Sequence, residues 1–122
     1  MNFPDSWPSD CPPQDAVDAE GDVFRIVNND QPTADDFLTS FETGAFPNRL
    51  ACLRCGLSVH RIRADAIHTK TKYPKLENRI AKGTLAKECG KTKRTGQASH
   101  TTWWVYEGVN RASIFALIAE EG

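Results

Sequence analysis

Apolar and polar positions alternate most clearly in two short stretches of the chain. In Val23–Val27 (Val-Phe-Arg-Ile-Val), β-branched and aromatic residues are bounded by Asp22 and by Asn28-Asn29-Asp30, which predicts a strand. One face of it would carry Phe24 and Ile26, the other Val23, Arg25 and Val27. Thr101–Tyr106 predicts a second strand. Between the two, Thr33 reads as a helix N-cap, with Asp35 and Asp36 in the first turn, Phe37, Leu38 and Phe41 as the apolar stripe and Gly44 as the stop. Residues 45–49 form a loop around Pro47, and residues 50–61 read as extended with a break near Gly56. Ala64 to about Tyr73 predicts a short basic helix ended by Pro74. Residues 78–85 read as extended, and Lys91–Gln97 as a polar basic loop. After Gly108, Asn110 would cap a helix through Ser113–Ala119, but Ser-Ile-Phe-Ala-Leu-Ile fits a buried strand equally well. Strands and helices mix without a regular βαβ repeat. The expectation is therefore a small single α+β domain, with an antiparallel or mixed sheet and two or three short helices.

Residues 1–21 hold four prolines and scattered acids without an apolar period, so they read as a flexible acidic tail ahead of a domain at 22–122. Phe3 and Trp7 are the residues able to pin that tail to a groove. The 122 residues suffice for one core and not for two. No apolar run is long enough to span a bilayer, and the first residues lack the basic and apolar regions of a signal peptide, so a cytoplasmic protein is expected.

The near-neutral net charge of −1 conceals a polarity. Met1–Glu42 contains ten acids against Arg25 alone, whereas His60–Gln97 contains eleven bases against Asp65, Glu77 and Glu88. Lys70, Lys72, Lys75, Lys91, Lys93 and Arg94 are candidate polyanion-binding residues, suited to an acidic protein or a nucleic acid. With Tyr73 the one aromatic residue inside the block, phosphate contact is favoured over base stacking. The bland counterpart is neutralisation of this block by the acidic first third of the same chain.

Candidate chemistry concentrates between Leu50 and Trp104. Cys52-x-x-Cys55 has the spacing of half a zinc site, with Cys89 and His100 in the right order to complete it, although no second Cys-x-x-Cys exists. In Ser99–Trp104 (Ser-His-Thr-Thr-Trp-Trp), strand alternation places His100, Thr102 and Trp104 on one face, and Ser99, Thr101 and Trp103 on the other. One Trp is expected in the core and the other beside a pocket, where a flat indole near a His and hydroxyls suits a nucleobase or nicotinamide ring.

The order Arg25 in a first strand, Gly56-Leu57-Ser58-Val59, a helix with Ala64-Asp65-Ala66, and a Trp-bearing strand followed by Glu107 resembles small bacterial ADP-ribosyltransferase-like domains. The resemblance runs from about Asp22 to Leu117. It implies NAD as cofactor, with Arg25 on phosphate or ribose, Ser58 at the middle position and Glu107 as the catalytic acid. His60, His100, Trp103 and Trp104 would complete the nucleotide pocket, and the setting would be a bacterial toxin or defence system. Glu107 lacks the Glu-x-Glu or Gln-x-Glu companion of that family, which points towards a degenerate, binding-only member. Two further readings stand beside this nucleotide-binding one. One is a non-enzymatic antitoxin, immunity or inhibitor protein that uses the basic 60–97 face, and the other is a module stabilised by zinc.

Overall fold

The computed structural model describes residues 1–28, 31–72 and 78–118. In chain order the elements are β1 (Val17–Asp18), β2 (Gly21–Val27), α1 (Ser40–Thr43), α2 (Ala51–Arg54), β3 (Leu57–His60), α3 (Arg63–Lys72), β4 (Arg79–Leu85), β5 (Gly90–Arg94), β6 (His100–Val105) and β7 (Phe115–Leu117). The strands form one antiparallel sheet in the order β1-β5-β6-β3-β2-β4-β7. The molecule is thus a small α+β domain with short helices. Among the described residues no helix is long and apolar enough to cross a membrane.

The predicted strands at 23–27 and 101–106 and the predicted helix after residue 63 are present, while the expected helix from Thr33 to Gly44 is divided. Its first part is a 3-10 turn, Ala34–Phe37, after which Leu38 is extended and Thr39 caps the separate helix α1. The cause lies outside the segment. A continuous helix would give the Asp36 carbonyl to the N–H of residue 40, but Arg25 Nε and Nη2 take that carbonyl at 3.0 and 2.8 Å. The Phe37 carbonyl is likewise taken by Arg111 Nη1 at 2.6 Å. Thr39 restarts the helix with a reciprocal cap, Thr39 Oγ1 accepting from the Glu42 N–H and Glu42 Oε1 from the Thr39 N–H. Gly44, at φ 78°, ends it in the left-handed conformation that a glycine adopts without strain.

Two further segments differ from expectation. The first half of 50–61 is the single helical turn α2. Its Cys52 is disulfide-bonded to Cys11, and its Cys52 carbonyl accepts from Trp104 Nε1 at 2.8 Å. The expected loop at 91–97 begins as strand β5, because Thr92 is buried opposite Trp103 while Lys91 and Lys93 alternate with it and meet Asp18 and Asp15 at 3.5 and 2.8 Å. At the C-terminal end the ambiguous run resolves into a 3-10 turn, Ala112–Ile114, followed by β7.

The sheet is covered on both faces. One face carries Val23, Val27, Leu57, Val59, Ala81, Trp103 and Val105, closed over by Phe37 from the first 3-10 turn and Phe115 at the start of β7. On the other face the N-terminal residues make a second, smaller cluster. Phe3 and Trp7, 5.2 Å apart, pack with Cys11, Ala16, Phe41, Cys52 and Cys55 around Trp104. Residues 1–21, expected to form a tail, therefore lie on the sheet and end in β1, which pairs with β5. Burial of Trp104 explains why, since an indole with no exposed surface needs a layer over it.

Candidate functional site

The registers settle which predicted site residues meet. Ser58 pairs with Thr102 and His60 with His100 across β3 and β6, so all four side chains share one face of the sheet. On that face α2 and the N-terminal layer cover Trp104, and α3 lies against β2 and β3. Between them lies a groove in two adjoining parts that share His100 and Gly96 as walls. The larger, about 530 Å³, is bounded by Ser58, Thr95, His100 and Thr102 on the sheet side and by Arg49, Leu50, Leu53 and Arg54 on the α2 side. The smaller, about 230 Å³, continues from His100 and Gly96 to His60, Thr69 and Lys72.

Side chains in the groove are held by their neighbours. His100 Nδ1 lies 3.0 Å from the Thr95 carbonyl oxygen and 3.1 Å from Thr95 Oγ1. A carbonyl only accepts, so Nδ1 carries the proton and the neutral ring keeps its lone pair on Nε2. Thr95 Oγ1 lies 2.7 Å from Thr102 Oγ1, extending the network along the floor. His60 is buried edge-on to His100, ring centroids 5.4 Å apart. Burial, reinforced by the His100 ring and partly opposed by Asp65, holds His60 below the ordinary imidazole pKa. Arg54 donates through Nε to the Ala45 carbonyl at 3.0 Å and through Nη2 to Ser40 at 3.3 Å, which fixes its guanidinium at the wall. Arg49 lies over the Phe46 ring at 4.3 Å. Gly56 permits the close approach of α2 to the sheet, because a Cβ there would collide with Thr102 Cγ2.

Arg25 is not in this groove. It pairs with Ala81 on the opposite, core face, where its guanidinium stands 5.4 Å from the Phe37 ring. Its guanidinium donates to backbone carbonyls, to Asp36 twice and to Ser58 at 2.8 Å from Nη1. Burial brings its pKa down to about 10. Glu107 is equally remote, in the turn that follows β6 and outside the residues that line the groove. Its backbone N–H donates to Asn2 at 2.8 Å, and its surroundings are Met1, Glu88 and Cys89. The structure therefore joins Ser58, His60 and His100 and leaves Arg25 and Glu107 elsewhere. Neither Trp faces the groove. Trp103 and Trp104 are both fully buried, on opposite faces of β6, and donate to the carbonyls of Cys89 and Cys52. The expectation of one pocket Trp is corrected for a simple reason: β6 is inside the sheet and covered on both sides.

The cysteine set is dispersed too. Cys52 is spent on Cys11, Cys55 is buried with its thiol pushed up to about 11 by burial, and Cys89 lies behind Trp103 on the core side. Among the described residues no three His, Cys, Asp or Glu side chains gather around a point where an ion could sit. The basic set is divided as well. Lys91 and Lys93 pair with Asp18 and Asp15, Lys82 with Asp22 at 3.4 Å, and Arg94 Nε donates to the Ala98 carbonyl. Lys72 borders the smaller part of the groove, Lys70 is engaged in a contact of its own, and Lys75 falls outside the described residues. Neutralisation by the acidic first third is thus realised along β5.

A second cleft, about 580 Å³, lies over Thr92 and Thr101. Its charged groups tie segments together: Arg61 donates to the Glu20 carbonyl and to Thr92 Oγ1, and Asp65 accepts from the Ser99 N–H at 3.1 Å. Sequence reasoning found Ser58, His60 and His100 but missed Arg49, Arg54 and Thr95. Arg49 precedes the Cys52-x-x-Cys55 motif and Arg54 lies within it, so both were legible as basic neighbours; Thr95 reaches the site by a turn that no periodicity marks. No protein-family model, curated protein or solved structure matches this chain.

Proposed function

We propose that the groove between α2 and α3 binds a nucleotide, and that the chain is a small nucleotide-binding domain. The observation that carries this reading is the composition of the larger part of the groove. Two guanidinium groups, a row of hydroxyls and an oriented imidazole converge there, with no carboxylate among the described lining residues. Such a set attracts phosphate. Ser58, Thr102 and His100 offer donors and acceptors for a ribose, and Leu50 and Leu53, 74% and 41% exposed, offer an apolar wall for a base. The volume is that of an ordinary small-molecule pocket. NAD, implied by the resemblance to ADP-ribosyltransferases, is one member of this ligand class. With Arg25 and Glu107 outside the groove, no carboxylate is at hand to stabilise a cationic ribose, so binding without transfer is the reading favoured here.

Calorimetric titration with AMP, ADP and NAD tests it. At least one should bind, and Arg49→Ala, Ser58→Ala and His100→Ala should each weaken binding about tenfold, equivalent to roughly 1.4 kcal/mol. Glu107→Gln should leave affinity unchanged. Absence of heat with all three ligands at millimolar concentration overturns the proposal. Loss of binding on Glu107→Gln alone would return the site to the transferase arrangement.

A further inference from the structure

We infer that His60 and His100 form a two-imidazole site for a divalent first-row transition ion, of the kind Zn2+ represents. The inference uses the smaller part of the groove and shares His100 with the proposed nucleotide site; the ion titration is carried out without nucleotide, so the two readings succeed or fail separately. The two histidines are direct cross-strand partners on β3 and β6, a placement that brings two imidazoles within reach of a single ion without any loop having to move.

The ring spacing is compatible with one shared ion. A ring nitrogen lies about 1.1 Å from its ring centroid and a Zn–N bond is about 2.0–2.1 Å, so each centroid would stand about 3.2 Å from the ion. A tetrahedral angle at the ion then separates the centroids by about 5.2 Å, and a right angle by about 4.5 Å. The observed separation, 5.4 Å in an edge-to-face pair, is within reach of the tetrahedral case once the rings turn their nitrogens to the ion.

Each ring brings one further feature of a ligand. His100 donates its Nδ1 proton to the Thr95 carbonyl, and that is the outer hydrogen bond that orients a metal-binding histidine and leaves Nε2 as the donor to the ion. His60, only 7% exposed, carries the buried side-chain nitrogen, Nδ1, that has no hydrogen-bond partner among the described residues. A buried polar atom left in that state is costly, and a ring turned to coordinate an ion is relieved of it. Thr69 and Gln97 border the same space, and the Lys72 ammonium opposes a cation there, although that side chain is exposed and free to extend into solvent. Two protein donors leave coordination positions for water or for an oxygen of a bound ligand. The site is therefore an open, exchangeable one, unlike the closed four-ligand sites that hold folds together.

The test uses the full chain, stripped with a chelator and titrated with Co2+ and Zn2+. One ion should bind per chain, with Co2+ giving visible ligand-field absorption that Zn2+ displaces. In proton–nitrogen spectra of the imidazoles, the His60 and His100 signals should move while those of His68, exposed on α3, stay in place. His100→Gln should weaken binding at least tenfold, and His68→Gln should not alter it. A Cys55→Ser, Cys89→Ala double variant should still bind, which excludes thiolate as the donor. The ring spectra of the unmodified protein keep the test decisive if a variant fails to fold. Absence of binding at millimolar ion, binding that survives His100→Gln in folded protein, or binding lost with the two cysteines would each overturn the inference.

Discussion

Arg25 illustrates how one side chain can be assigned two unlike roles. From the sequence it is a cation between valines in a strand, a natural candidate for gripping a phosphate. In the fold its guanidinium is a fork that satisfies two carbonyls, the partly buried one of Asp36 and the exposed one of Ser58, and thereby fixes where the 3-10 turn ends. Its donors are directed at main chain, which gives it a positional role. Arg25→Met should lower unfolding free energy by about 1–2 kcal/mol, because the partly buried Asp36 carbonyl loses its partners. Urea denaturation measures the loss, and nucleotide affinity in the folded fraction should stay within about twofold. Ser58 and His100 show the converse: the sequence picked them out as polar residues of strand-like segments, and the cross-strand registers bring them together.

At the scale of elements, the N-terminal 21 residues change meaning most. Their prolines and acids suggested an extension without structure, and no apolar period contradicted that. What holds them is distributed over single contacts: the Phe3 and Trp7 rings, the Asp15–Lys93 and Asp18–Lys91 pairs, two residues of β1, and the Cys11–Cys52 bond. The last joins positions 41 residues apart, and a cross-link of that span removes about 4 kcal/mol of chain entropy from the unfolded state. Thiol titration should find half-buried Cys89 reacting in native protein ahead of buried Cys55, two thiols after denaturation, and four after reduction as well. Cys11→Ala should lower the melting temperature clearly. A chain kept in a reducing compartment would forgo this clamp over α2.

For the whole molecule, the separation of acidic and basic segments along the chain becomes pairing across the fold. Asp15, Asp22 and Asp65 are held below their ordinary pKa by hydrogen bonds from Lys93, from Thr84 and Lys82, and from Ser99. For Glu42, burial alone would raise the pKa, but Arg111 and Thr39 outweigh it and the net shift is downward. Groups with depressed folded values stabilise the protein above their unfolded values, 3.8 for Asp and 4.5 for Glu, and that contribution fades as pH falls through the folded ones. Unfolding free energy should therefore decline modestly as pH falls through about 6.5, where His60 protonates more readily in the unfolded chain than in the fold, and decline further below about 4.5 as the carboxylates protonate. Denaturant titrations across that range measure the decline, and Asp65→Asn should make it shallower. Because these pairs are largely exposed, added salt should change stability little at neutral pH.

The sequence by itself determined the fold class, the strands at 23–27 and 101–106, the helix after residue 63, and three of the residues that line the groove. These rest on local alternation, capping residues and breakers, which act within a few positions of themselves. Only the tertiary structure decided which face of β2 carries Arg25, that both Trp103 and Trp104 are buried, that Lys91–Arg94 is a strand, and that the first 21 residues form a layer. Each of these depends on a partner far along the chain: a carbonyl accepting from a guanidinium, a cysteine across 41 positions, or an acid opposite a lysine. Local pattern states what a segment prefers, and burial on both faces of β6 is set by what the rest of the chain supplies to cover it.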